Sequence, residues 1–148
     1  MSLLDRIDKD LIKALKAREK EKVTVLRGLK SDLKYRRIDK QEDLNEEDII
    51  TVLSSCAKKC RDSLVDFERG NRDDLVKKTQ VELDIIKVYL PEQLSTEELQ
   101  DLIRVTIDET GADSPQKIGL VMQAVMPKIR GRADGKVISK LASQMLAN

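Results

Sequence analysis

Apolar side chains recur every three or four residues through nearly the whole chain, a period that a succession of amphipathic helices buries and a sheet does not. Ser2 is placed to cap the first helix, whose stripe is Leu4, Ile7, Leu11 and Leu15. The charged run 17–22 either bends the chain or carries it into a second helix bearing Val23, Leu26, Leu29 and Leu33. Gly28 lies inside that helix at a cost of about 1 kcal/mol relative to alanine, for which a close helix–helix approach or neutral drift would account. After the acidic stretch 42–48, with Asn45 as cap, a third helix presents Ile49, Val52, Leu53, Cys56, Cys60, Leu64 and Phe67 and stops at Gly70. A fourth runs from about Asp73 to Leu90 with Leu75, Thr79, Leu83, Ile86 and Leu90 on its face, and Pro91 ends it.

The segment from Leu90 to Ser95 reads as a domain boundary, open to cleavage near Glu92. Beyond it, Ser95-Thr-Glu-Glu98 has the form of a capping box for a fifth helix with Leu99, Leu102, Ile103 and Ile107, ending at Gly111. The sixth begins with Ser114 and Pro115, carries Ile118, Val121, Met122 and Val125, and is closed by Pro127. Asp134 caps a seventh with Ile138, Leu141 and Met145. Of the six glycines and three prolines, only Gly28 and Gly119 fall away from an inferred helix end. With 37% charged residues and 2% aromatic, the expectation is an all-α chain, four helices in 1–90 and three in 95–148.

Function is bounded first by what is missing. The chain has no histidine, which removes imidazole general bases, Ser–His and Cys–His nucleophiles and most zinc sites. Cys56 and Cys60 share one helical face but have no further cysteine to complete a metal set, and they read as small core residues. Twenty-eight basic and 27 acidic residues nearly cancel, so no overall field draws the chain to DNA or to a membrane. Apolar runs stop at three residues, against the roughly 20 needed to span a bilayer. The acidic residues near the start are foreign to an export or transit signal, and the two cysteines make no disulfide framework, so a cytoplasmic setting is expected. No cofactor motif is present. Gly131-Arg-Ala-Asp-Gly135-Lys136 has one residue too few between its glycines for a P-loop, Val137 where Ser or Thr is required, and a helix before it instead of a strand.

That segment has a plainer property. Lys117, Lys128, Arg130, Arg132, Lys136 and Lys140 stand against the single acid Asp134 in residues 117–140. Around Gly131 and Gly135, just before a helix start, such cations either hold phosphate or flank a solvated connector. Residues 6–40 form a second basic region, with Lys30, Lys34 and Arg37 on one helical side. The interleaved acids there also suit ordinary surface pairing. Carboxylate pairs at Glu46/Glu47, Asp73/Asp74 and Glu97/Glu98 fall in first turns, where dipole and capping effects explain them without acid–base catalysis.

Val88-Tyr-Leu-Pro-Glu-Gln-Leu-Ser95, Thr110-Gly-Ala112, Gly119-Leu-Val-Met122 and Met126-Pro-Lys-Ile-Arg-Gly-Arg-Ala-Asp-Gly-Lys136 together resemble the GatB/YqeY family. Arg61-Asp-Ser-Leu64 and Asn71-Arg-Asp-Asp-Leu75 extend the likeness into the N-terminal half. The resemblance implies four helices followed by a three-helix domain like the tail of the B subunit of the tRNA-dependent aspartyl/glutamyl amidotransferase. It also implies tRNA as partner, with Gly119 to Met122 and the basic loop on the RNA side. The candidate RNA-binding residues are Lys117, Lys128, Arg130, Gly131, Arg132, Gly135 and Lys136. The ATP and ammonia machinery of that enzyme is absent, so a carbon–nitrogen ligase label would pass to this chain by homology alone. The rival expectations are a helical protein–protein adaptor without RNA contact, and an accessory subunit of such a ligase.

Overall fold

The computed structural model describes residues 2–148 and contains, among them, seven α-helices, one short 3₁₀ turn and no strand. Helices α1 (Leu3–Lys16), α2 (Lys20–Lys40), α3 (Glu46–Arg69) and α4 (Asp73–Lys87) lie in one compact unit, Met1–Leu90. Helices α5 (Thr96–Thr110), α6 (Ile118–Ile129, led in by the 3₁₀ turn Pro115–Lys117) and α7 (Gly135–Ala147) lie in a second, Pro91–Asn148.

The caps follow the local chemistry. Ser2, Asn45 and Ser95 each accept a hydrogen bond from the backbone N–H three residues on, and Asp5, Asp48 and Glu98 accept one in turn from the cap residue's own N–H. Each reciprocal pair satisfies two donors that a helix start otherwise leaves open. The Lys40 ammonium also bonds Asp48, and this first of all holds the Asp48 carboxyl below the usual carboxylate range. The charged run after α1 bends the chain: Arg18 takes a left-handed φ of 57°, and the Glu19 N–H donates back to the Ala14 carbonyl. Gln41 and Asn71 turn the chain in the same left-handed way after α2 and α3.

The core of the first unit is aliphatic. Leu26, Leu29 and Leu33 of α2 meet Ile49, Leu53, Ala57 and Cys60 of α3 and Leu83 and Ile86 of α4. In α1 the buried stripe is Leu3, Ile7 and Ala14, one position off the expected Leu4–Ile7–Leu11–Leu15 line; Leu4 and Leu15 are exposed. Helical spacing puts Leu3, Ile7 and Ala14 on one face, and Ala14, too small to stand out in the sequence, faces inward. Helix α4 ends at Lys87, three residues before the expected Leu90, and the turn that follows buries Tyr89 to 2% exposure. The Tyr89 hydroxyl donates to Asp10 at 2.6 Å, and the Arg6 guanidinium lies 5.6 Å from its ring centre. No side chain presses on Gly28: a Cβ there would have nothing within 4 Å, so close helix packing does not explain it.

In the second unit the three helices all touch one another around Leu99, Ile103, Val121, Val125, Ile129, Ile138, Ala142 and Leu146. Thr106 is fully buried and turns its hydroxyl to the Leu102 carbonyl at 2.8 Å, which satisfies the donor inside the helix. Three details differ from the sequence reading. Ser114 makes no side-chain cap bond, and Pro115 opens a 3₁₀ turn instead of α6. Pro127 does not close α6 but sits inside its last turn, which runs on to Ile129. So near the end, a proline forfeits one ladder bond and deflects little helix. In α7 the inward stripe is Ile138, Ala142 and Leu146, with Leu141 and Met145 at its flank.

Candidate functional site

The basic segment spans the end of α6, the loop 130–134 and the start of α7. Gly131 sits at φ 76°, in the left-handed region that a side chain would strain, and this reverses the chain after Ile129. Gly135 has no such need, since an added Cβ would meet only the Met126 Cε at 3.9 Å. The start of α7 already holds an anion: the Asp134 carboxylate accepts from the Lys136 N–H at 3.0 Å. Any phosphate on this loop is therefore held by side chains and not by an open helix end.

The cations are differently engaged. Lys117 pairs with Asp113 at 2.8 Å and Lys128 with Glu109 at 2.9 Å, both on the surface. Lys117, through the hydrogen bond it makes, holds the Asp113 carboxyl low. Arg130 and Lys136 are exposed at the two ends of the loop. Arg132 serves a structural purpose that no spacing rule reveals. Its Nε donates to the Glu92 carbonyl at 3.1 Å, and its own carbonyl accepts from the Leu94 N–H at 2.9 Å. Gln93 adds a bond from Nε2 to the Gly131 carbonyl at 2.8 Å. Residues 91–94, which lie in the segment read from the sequence as a domain boundary, are thus tied into the second unit by the basic loop.

Arg132→Ala is accordingly expected to speed limited proteolysis near Glu92 about fivefold, the effect of losing roughly 1 kcal/mol of hydrogen bonding. Helicity by circular dichroism should not change. Equal cleavage rates in the two proteins would show that the tether does not guard this segment.

The cysteines are not arranged for chemistry. The Cys56 thiol donates to Asp32 at 3.3 Å, and burial followed by that carboxylate pushes it up to about 12. Burial and then Glu82 push Cys60 up to about 11. Thiols held neutral are poor nucleophiles. Among the described residues no group of three or more Cys, Asp or Glu side chains converges as a metal cage, and no helix is long and apolar enough to cross a membrane.

Two helical units, the second carrying a basic loop between α6 and α7, thus define an all-α protein. It belongs to the family described as Yqey-like protein, whose sequence pattern covers residues 4–146. The chain is 39% identical over 85 residues to altered inheritance of mitochondria protein 41, mitochondrial, of Lachancea thermotolerans, covering 57% of this chain and 46% of that protein. The protein of the same name from Pyrenophora tritici-repentis is 23% identical over 147 residues, 97% of this chain and 81% of the relative. A glutamyl-tRNA(Gln) amidotransferase subunit of Saccharolobus solfataricus is 34% identical over 115 residues, 71% of this chain but 17% of the relative. The resemblance seen in the sequence is borne out. The fungal relatives are named mitochondrial, which does not fit a plainly cytoplasmic expectation.

Proposed function

We propose that this chain is a tRNA-linked accessory protein that holds RNA phosphates with the side chains around the α6–α7 loop and has no catalytic centre of its own. In this reading residues 1–90 and 95–148 act as separate four-helix and three-helix domains, in a reducing compartment, cytoplasm or mitochondrial matrix. The observation that carries it is the concentration of six cations against one acid in residues 117–140, with Lys117, Lys128, Arg130, Lys136 and Lys140 all exposed. Kinship with a protein named for a glutamyl-tRNA amidotransferase supports RNA as the anion. The Lys117 and Lys128 ion pairs do not stand in the way, since exposed pairs are worth about 0–1 kcal/mol and exchange readily for phosphate. Residues 91–148 contain no Phe, Tyr or Trp, so base stacking has no platform there. Recognition by backbone and shape is what this surface chemistry allows.

Binding should therefore weaken steeply with salt, each phosphate contact adding about 0.7–0.9 to the log–log slope. Lys128→Glu, Arg130→Glu and Lys136→Glu together should lower affinity for different tRNAs alike and flatten that slope by about two to three contacts' worth. Arg132 is left intact because it holds the connector. Lys9→Glu, Lys13→Glu and Lys16→Glu together, on the exposed side of α1, match the change in net charge and should do much less. Filter binding across a salt series decides. Unchanged affinity in the loop variant, or no binding by the wild type at low salt, would refute the reading.

A further inference from the structure

Arg27, Lys30, Lys34 and Arg37 follow one another at three- or four-residue intervals along α2 and span about 15 Å. They form one wall of a groove of about 640 Å³ in the N-terminal unit, floored by Leu4, Leu33 and Leu44. Asp8 holds Lys30 at 2.7 Å and Asp43 holds Arg37 at 2.9 Å. Arg27 and Lys34 form no ion pair with another described residue. The groove continues past Lys34 and Arg37 into a recess that includes Ile38, and the apolar surface along it is open: Leu4 is 39% exposed and Ile38 59%.

We propose that this groove docks an acidic amphipathic helix of a partner protein. The charge and the floor select that occupant together. Two of four cations are already neutralised, and the two left over are seven residues apart, which is two helical turns or roughly 10 Å. A helix lying along α2 meets that spacing with carboxylates at i and i+7, while Leu, Ile or Phe at i+3 and i+4 rests on Leu4 and Leu44. A nucleic acid strand would satisfy the cations but leave the leucines and Ile38 against phosphate and sugar, with nothing gained from their burial. The proposal concerns the first unit alone and stands or falls apart from RNA binding by the second.

The test is selection from a phage-displayed library of helical peptides on the full-length protein, followed by fluorescence polarisation with the selected peptides. Enriched sequences should carry Asp or Glu two turns apart with apolar residues between them. Arg27→Glu with Lys34→Glu should weaken them about tenfold, through lost charge complementarity. Leu4→Gln should weaken them too, with circular dichroism unchanged in both variants. Amide chemical shifts on peptide addition should cluster on α1, α2 and residues 43–44. Enrichment of basic or uncharged peptides, no enrichment, or affinities indifferent to these substitutions would overturn the proposal. So would an RNA oligonucleotide that shifts the same amides more strongly than any selected peptide.

Discussion

Leu53→Ala is expected to destabilise the N-terminal unit by about 3 kcal/mol, within the 2–5 kcal/mol usual for emptying a buried leucine site. Leu53 is fully buried on α3, the helix in contact with α1, α2 and α4 alike. The loss has two parts, the transfer free energy of the deleted carbons and the cavity left among neighbours that close only in part. Those neighbours are branched aliphatics held on rigid helices, and the unit's one buried aromatic ring, Tyr89, is fixed by its bond to Asp10. Little is free to swing into the space. Ile12→Ala supplies the contrast, because Ile12 is 53% exposed and its truncation should stay within about 0.5 kcal/mol. Urea denaturation followed at 222 nm measures both. A cost below about 1 kcal/mol for Leu53→Ala would mean that the core is looser than its burial indicates.

Alkaline pH should be the second large lever on stability. Cys56 and Cys60 are pushed up to about 12 and about 11 in the folded chain, against about 8.5 for a free thiol. The folded state thus keeps its thiol protons after the unfolded chain has lost them. Stability from this source is complete below about pH 8.5 and drains away as pH rises toward the folded values, by at most about 1.4 kcal/mol per pH unit for each thiol. Cys56 is partly exposed, so its share falls short of that ceiling. Tyr89 acts in the same direction from about pH 10 upward, since burial and then Asp10 raise its phenol above the usual range. The urea midpoint should be lower at pH 10 than at pH 8, and Cys56→Ala with Cys60→Ala should remove most of that difference. An equal fall in the double variant would assign the alkaline sensitivity to other groups.

What the sequence revealed was governed by how local each cause is. The cap at Asn45, the capping box at Ser95, the stop at Gly111 and the α2 stripe from Val23 to Leu33 depend on neighbours within a turn or two, and all are legible. The phase of α1 was not, because one residue of shift exchanges Leu3 for Leu4 and a small Ala14 for Leu15. Pro127 misled because a helix-ending signal tells of a lost bond without telling how soon the helix would have ended anyway. The basic loop stands out in the charge pattern, yet Arg132 looks in the sequence like any other cation of that loop. Its partners, the backbone of residues 92 and 94, lie some forty positions away and carry no side-chain signature. The α2 groove was half visible, as a basic face; its apolar floor needed α1 and the 43–44 loop to be brought beside it.

The bond between Tyr89 and Asp10 joins the last turn of the first unit to its first helix, across 79 positions of chain. On the ribosome those ends emerge in order, α1 first and Tyr89 after nearly ninety residues. Pairs such as α1 with α2 and α3 with α4 are neighbours in sequence and close over short loops, so they are free to form while synthesis continues. The lock on Asp10 and the ring beneath Arg6 cannot. Until Tyr89 is out of the exit tunnel its place beside α1 stands open, even where α3 has already packed on α1 and α2. The Tyr89–Asp10 lock can therefore close only late in translation, after the unit's final turn is released.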